Sequence, residues 1–141
     1  MRNYLSLIFI LLTFFNSLSL YAHETVTEVK AFEEELVIYF QVDSTEIDSK
    51  YFDILKEHAD YLRNSDNRML IIEGHTDQRG TREYNSAKGE RMAKAVKSHL
   101  ESLGVDSSRI TTLSYGEEKP ASIGDSDQDM AANRRAVLVY Q

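Results

Sequence analysis

The stretch from Glu73 to Gly80 (EGHTDQRG) combines opposite charges with glycines at the end of an apolar run. That run, residues 69–72 (MLII), is typical of a buried strand, and a strand that ends in a glycine-bounded polar turn before a helix commonly presents a ligand site. Asp77 and Arg79 lie two positions apart in this turn and offer an acid and a cation to a small zwitterion. The motif fits equally well a capped loop in which Asp77 only accepts backbone hydrogen bonds.

Metal binding and nucleophilic catalysis are weaker interpretations of the same region. His75 and Asp77 could both coordinate a metal ion, but no third ligand follows at a telling spacing, so a neutral His75 hydrogen-bonded within the turn is preferred. Ser114 and Tyr115 end an apolar stretch without the Gly-x-Ser-x-Gly turn or the base that a nucleophile requires. The sequence therefore predicts no catalysis, no metal site and no cofactor.

The first 22 residues have the pattern of a secretory signal peptide. Arg2 precedes an apolar run, residues 5–15 (LSLIFILLTFF), and the segment ends in the small residue Ala22. This pattern predicts a signal peptide over residues 1–22, cleaved after Ala22, with an uncleaved membrane anchor as the alternative.

The rest of the chain is acidic and has no cysteine. The formal net charge of the 141 residues is −7, and residues 1–22 contain one basic residue and no acidic one. An acidic domain without a basic stripe repels polyphosphates, so nucleic acid is not an expected partner. Without cysteine the domain must be stable through its core alone, and no lipid anchor can be attached through cysteine. A chain cut after Ala22 is expected to be soluble.

Hydrophobic periodicity predicts the elements that position the turn. Residues 23–35 are polar and acidic and form a loose leader, and the folded domain is expected at 36–141. Strands are predicted at residues 36–40, 69–73, 109–115 and 136–140, and a short helical turn near 129–133.

Two main helices lie between these strands. The first, capped by Asp48 or Ser49, buries residues 52, 55, 59 and 62 and ends near residue 64, with His58 expected at the edge or surface. The second begins after an N-cap at Thr81 and stops at Gly104. The order β-α-β-α-β-β predicts an α+β fold, a two-layer sandwich with a mixed four-stranded sheet and two main helices on one face.

Four segments in the same order give a more specific signal than the turn alone. They are HADYL at 58–62, EGHTDQRGTREYN at 73–85, SYGEEKPA at 114–121 and NRRAVLVY at 133–140. From about residue 36 to residue 140 the chain resembles the OmpA-like C-terminal domain family, within it the branch of the peptidoglycan-associated lipoproteins. The resemblance implies non-covalent binding of peptidoglycan through the diaminopimelate of the stem peptide. It also implies a place in the periplasm, on peptidoglycan and at the inner side of the outer membrane.

The resemblance assigns ligand-binding roles to individual residues. Asp77 matches the acid that receives the ammonium of diaminopimelate, with Thr76 in the same turn and Arg79 at the mouth of the site. Asn85 matches a residue that hydrogen-bonds the ligand, and Asp43 lies in a turn that lines the pocket in relatives. Free backbone N–H groups at the start of the second helix favour the ligand carboxylate.

Four further residues are expected to support the site. Gly74 and Gly80 bound the turn. Arg134 and Arg135 either clamp the ligand or pair with a carboxylate such as Asp77 or Glu73 and hold the turn in shape, and the second role is preferred.

Position 92 departs from the family pattern. Relatives carry an arginine directly before an alanine of the second helix, where it binds the diaminopimelate carboxylate, but this chain has Met92. Arg91 lies about 100° away around the helix and cannot replace it. A lost charge-assisted contact costs about 1.5–3 kcal/mol, or roughly ten- to a hundredfold in affinity. Binding is therefore expected to be weakened, with Arg79 or Arg82 as substitute cations.

The departure at position 92 also supports a different function. In that alternative the chain is an interaction protein of the Tol system that binds TolB, and its peptidoglycan site has decayed.

Overall fold

A computed structural model describes residues 36–141. Its elements in chain order are β1 (Leu36–Tyr39), α1 (Phe52–Asn64), β2 (Leu70–His75), α2 (Arg82–Ser102), β3 (Ile110–Gly116), α3 (Asp127–Asn133) and β4 (Arg135–Tyr140). Short 3₁₀ turns precede α1 and β3. The predicted signal peptide and polar leader fall on residues 1–35 and lie outside the described residues.

The sheet has four strands in the order β1-β4-β2-β3. β4 runs antiparallel to both of its neighbours, whereas β2 and β3 are parallel. Parallel strands need a crossover connection, and α2 supplies it. The mixed four-stranded sheet confirms the predicted α+β fold, with α3 as a third, short helix.

The core lies where both long helices meet the sheet. Its fully buried side chains include Ile38, Leu55, Leu62, Ile72, Met92, Val96, Leu100 and Leu138. On α1 the buried residues Leu55, Ala59 and Leu62 follow steps of four and three, and those of α2 follow steps of four, which places each set on one helix face. Within residues 36–141 no helix is both long and apolar enough to span a membrane.

Two side chains of α1 contradict the sequence interpretation. Phe52, predicted to be buried, is 43% exposed and stacks on His99 with ring centroids 4.8 Å apart. His58, predicted at the edge, is buried, and its Nδ1 lies 2.6 Å from the Tyr140 hydroxyl. His58 follows Leu55 by three residues and therefore shares its buried face. Burial lowers the pKa of His58 to about 4, so it is neutral at pH 7.

Candidate ligand-binding site

Close contact between two glycines brings β2 against α2. A Cβ atom on Gly74 would overlap the backbone carbonyl of Gly89 in α2. Only glycine allows two backbones to approach in this manner. Gly74 therefore does more than bound the turn, because it fixes the end of β2 beside the first turns of α2.

The turn between β2 and α2 is held at both ends. At its start the Thr76 N–H donates to the Gly116 carbonyl at 2.8 Å. At its end Gly80 adopts a φ of 105°, in the left-handed region that favours glycine. Thr81 then caps α2 as predicted, with its hydroxyl oxygen accepting from the Tyr84 N–H.

Asp77 is the buried acid of this turn. It is 3% exposed, and its Oδ1 accepts hydrogen bonds from the backbone N–H and Nε of Arg79, both at 3.1 Å. Oδ2 accepts from Nη2 of Arg79 and, at 3.1 Å, from Nη1 of Arg134. Burial raises the pKa of Asp77, but the hydrogen bonds from both arginines outweigh it and lower the pKa to about 2. The carboxylate is therefore ionised at neutral pH.

The two adjacent arginines at the start of β4 have different partners. Arg134 is buried and pairs with Asp77, and its Nε donates to the Phe40 carbonyl at 3.2 Å. Arg135 donates from Nη2 to the Lys119 carbonyl at 3.2 Å. The preferred structural role is thus realised by Arg134, which links the turn to the end of β1.

A second ion pair lies next to Arg79. Asp43, in the turn after β1, has a φ of 54°, and its Oδ1 lies 3.4 Å from Lys88 Nζ in α2. The side chain of Lys88 is only 8% exposed, whereas that of Asp43 is 82% exposed. Hydrogen bonding to Asp77, the charge of Asp77 and the charge of Asp43 together raise the pKa of Arg79.

Three ion pairs, together with the effect of the Asp43 charge on Arg79, relate five charges of alternating sign. We call them the charge row: Arg134, Asp77, Arg79, Asp43 and Lys88. The two end cations are buried, and the side chain of Arg79 in the middle is 49% exposed. A zwitterion could therefore reach the middle of the row and find fixed charges of both signs.

Asn85 is buried on the same face of α2 as Lys88. Its Nδ2 donates to Glu117 Oε2 in the loop between β3 and α3. The resemblance predicted a ligand contact for Asn85, whereas its Glu117 partner was not predicted.

Thr76 lines a separate cavity of about 210 Å³ with Gln78, Glu117 and Asn133. Its buried hydroxyl has no hydrogen-bond partner among the described residues. Thr76 and Asp77, although adjacent, thus present their side chains to different surroundings.

His75 is neutral, as predicted. Burial, with a contribution from the positive charge of Arg135, lowers its pKa to about 4. The predicted hydrogen bond within the turn is not found: in the described part of the chain neither ring nitrogen has a partner with hydrogen-bond geometry, and Nε2 lies 3.7 Å from Glu73 Oε2. Among the same residues no three His, Asp or Glu side chains are grouped as metal ligands would be.

Position 92 belongs to the core. Met92 is 0% exposed and packs in the apolar cluster. Arg91 is exposed, with its guanidinium 6.0 Å from the Tyr84 ring centroid, and Arg82 pairs with Glu118 at 3.4 Å. Neither arginine has a contact with Asp77 in this arrangement.

Lys88 is the member of the charge row that was not predicted from the sequence. Residues 85, 88 and 92 are spaced by three and four, which is the spacing of one helix face. This spacing can be read from the sequence and would have predicted that Lys88 lies on the same face of α2 as Asn85.

The OmpA family model matches residues 39–134, a range that contains the whole charge row. The chain belongs to the OmpA family. This OmpA-family chain is similar to the peptidoglycan-associated lipoprotein of Haemophilus influenzae, with 48% identity over 103 residues, 73% of this chain and 67% of that protein. The corresponding protein of Pasteurella multocida is 46% identical over 103 residues, covering 73% of this chain and 69% of that protein.

Solved structures agree with this assignment. The peptidoglycan-associated lipoprotein of Burkholderia pseudomallei superposes with a TM-score of 0.73 at 43% identity, covering 74% of the OmpA-family chain and 89% of that structure. The C-terminal domain of Helicobacter pylori MotB superposes with a TM-score of 0.68 over 75% of this chain and 84% of that structure. At 18% identity the MotB likeness concerns the fold alone.

Proposed function

We propose that this chain is a non-catalytic module of the cell envelope that binds peptidoglycan non-covalently, through the diaminopimelate of the stem peptide, in the periplasm. The observation that carries the proposal is Asp77, a buried and ionised carboxylate at the end of β2 with an exposed cation beside it. The names of the relatives support the same ligand, since those proteins are peptidoglycan-associated.

The chemistry of the ligand matches the charge row. The free end of diaminopimelate carries an ammonium and a carboxylate on one carbon. Asp77 provides the acid for the ammonium, and Arg79, its half-exposed partner, is the group that can move aside. Arg134 remains on the far side of Asp77 and keeps the carboxylate oriented. Binding of this kind needs no bond to be made or broken.

Sedimentation with insoluble peptidoglycan sacculi tests the proposal. The wild-type protein is expected to sediment with diaminopimelate-type sacculi more strongly than with lysine-type sacculi, whose stem peptide lacks the extra carboxylate. Asp77→Asn is expected to weaken sedimentation about ten- to a hundredfold, the range for a lost charge-assisted contact. Asp66→Asn, the same change at an exposed position before β2, is the matched control and should bind as the wild type does.

Circular dichroism at the binding temperature shows whether Asp77→Asn is folded. Wild-type protein that stays in the supernatant with both kinds of sacculi would refute the proposal. Equal losses of sedimentation for Asp77→Asn and Asp66→Asn would show that Asp77 does not bind the ligand.

A second candidate function is binding of TolB as an interaction protein of the Tol system. Met92 favours it, because this side chain packs in the core and brings no cation to the ligand. Co-purification with TolB that survives Asp77→Asn would support this candidate, and the absence of any complex would exclude it.

A further inference from the structure

Lys88 places a buried ammonium against the turn after β1, where it pairs with Asp43. The charge of Asp43 acts in turn on Arg79, the exposed partner of Asp77. Lysine is seldom buried to this depth without a firm partner, because desolvation of its charge is costly. Among the described residues it contacts Asp43 Oδ1 at 3.4 Å and the Tyr84 ring, whose centroid lies 6.0 Å from Nζ. The Asp43 side chain is 82% exposed, so its charge is largely solvated. With three N–H donors, Lys88 can donate to a further anionic partner.

Helix geometry relates Lys88 to position 92. A step of four residues along a helix is a rise of about 6 Å and returns to within roughly 40° of the same direction. Helical side chains lean toward the N-terminus of their helix. A long cationic side chain at position 92 and one at position 88 would thus direct their charges along the same face, toward Asn85. Arg91 lies on a different face and is exposed.

We propose that Lys88 binds the carboxylate at the free end of diaminopimelate and supplies the cation that Met92 does not. This inference rests on the proposed function. In the structure Asp43 is the anion on Lys88, and Arg79 is the exposed one of the two cations on Asp77. The zwitterion offers the same two charges, its carboxylate to Lys88 and its ammonium to Asp77. The cation for the ligand carboxylate then lies at position 88, one helical turn nearer the start of α2 than position 92.

A purely structural role for Lys88 makes a different prediction. If Lys88 only ties the turn after β1 to α2 through Asp43, its loss changes stability and affects every ligand alike. If Lys88 binds the carboxylate, its loss affects only ligands that carry this carboxylate. The ratio of the affinities for a ligand with this carboxylate and a ligand without it separates these roles. Either affinity alone does not.

The experiment uses two soluble tripeptides and isothermal titration calorimetry. One is L-Ala-γ-D-Glu-meso-diaminopimelate, and the other has lysine in the third position, which keeps the side-chain ammonium and lacks the side-chain carboxylate. Wild type is expected to bind the diaminopimelate peptide about ten- to a hundredfold more tightly. Lys88→Met should reduce this ratio to near one, and Lys88→Arg, which keeps the charge, should retain most of it.

Lys94→Met is the matched control. Lys94 lies on the same helix, is 64% exposed and pairs with Glu90, so its loss should leave the ratio unchanged. If Lys88→Met does not give a cooperative thermal transition, Lys88→Gln provides the same test with a polar side chain. The double variant Lys88→Met/Met92→Arg, which moves the cation back by one turn, should restore the preference.

The outcomes separate the two proposals. If Lys88→Met weakens both peptides by the same factor, Lys88 is a structural tie and the inference is wrong, while peptidoglycan binding stands. If wild type binds both peptides equally and Asp77→Asn loses both, the inference is again wrong, and peptidoglycan binding through Asp77 stands without the preference for diaminopimelate. If wild type binds neither peptide nor sacculi, both proposals are refuted.

Discussion

Arg134 Nη1 lies 3.1 Å from Asp77 Oδ2, and the two side chains are 7% and 5% exposed. The same arginine donates from Nε to the carbonyl of Phe40. One side chain therefore connects the end of β1, the start of β4 and the turn after β2. Removing one member of a buried ion pair leaves the other charge uncompensated, so the pair sets the shape of the site as well as its charge.

Arg134→Met is expected to lower the free energy of unfolding by about 2–4 kcal/mol, because Asp77 would be left buried with Arg79 alone. Urea unfolding at pH 7 measures the change. Arg82→Met is the control: Arg82 is 73% exposed, and its pair with Glu118 is 3.4 Å long, so the expected change is within about 0.5 kcal/mol. Similar losses of unfolding free energy in both variants would show that the buried ion pair contributes no more to stability than the exposed one.

Gly74→Ala is expected to destabilise the fold by about 1–3 kcal/mol, because its methyl group would force β2 and α2 apart. Gly89→Ala tests the other side of the same contact. In an exposed helix this change stabilises by about 1 kcal/mol through helix propensity. Here the new Cβ would overlap the Ser114 hydroxyl oxygen and lie 3.0 Å from the Gly74 carbonyl oxygen. Urea unfolding that shows Gly89→Ala to be more stable than wild type would contradict the close contact.

The fold was predictable from the sequence because its signals are local. The apolar stretch at residues 36–40, the cap at Thr81 and the stop at Gly104 each specify an element without reference to the rest of the chain. The side chains at the edge of a helix face were less predictable. Phe52 and His58 both fit the periodicity of α1, and the sheet decides which of them is covered.

The site was predictable in part. Asp77 stands out by its place at the end of an apolar run, and its pairing with Arg134 followed from the preferred interpretation of that arginine. The partners of Lys88 and Asn85 depend on tertiary packing, since Asp43 lies 45 residues before Lys88 and Glu117 lies 32 residues after Asn85. Lys88 is found when position 92 is compared with residues on the same helix face. It is not found when position 92 is compared only with its neighbour in the sequence, Arg91.

The stability of the domain is expected to fall between pH 7 and pH 5. Burial lowers the pKa of His58 to about 4 from its ordinary value of 6.5. The unfolded chain therefore takes up a proton first as the pH falls. The contribution of His58 is complete above pH 6.5 and declines toward pH 4, at up to about 1.4 kcal/mol per pH unit. His75, whose pKa is lowered in the same way, adds a similar decline.

His58→Gln removes one of these two titrations and keeps a polar group opposite the Tyr140 hydroxyl. Urea unfolding at pH 7, 6 and 5 is expected to give a smaller decline in the variant than in the wild type, by about 1 kcal/mol or more. Parallel curves for the two proteins would mean that His58 takes up its proton in the folded state as readily as in the unfolded chain.

Asn85→Asp is expected to destabilise the domain in a pH-dependent manner. Asn85 is 1% exposed, and its Nδ2 donates to Glu117 Oε2. Aspartate in its place would set two carboxylates against each other where water has little access, and both cannot stay ionised without cost. At pH 7 the expected loss is about 2–3 kcal/mol. At pH 4.5 one carboxyl group takes up a proton and restores a hydrogen bond, so the difference from wild type should shrink.

Asn67→Asp, the same substitution at an exposed position before β2, separates this local repulsion from the effect of added negative charge. Urea unfolding of both variants at pH 7 and pH 4.5 makes the comparison. A loss in Asn85→Asp that is the same at both pH values would mean that the two carboxylates do not share a buried environment. A loss that shrinks at low pH only in Asn85→Asp would show that the side chains at positions 85 and 117 meet in a place with little water.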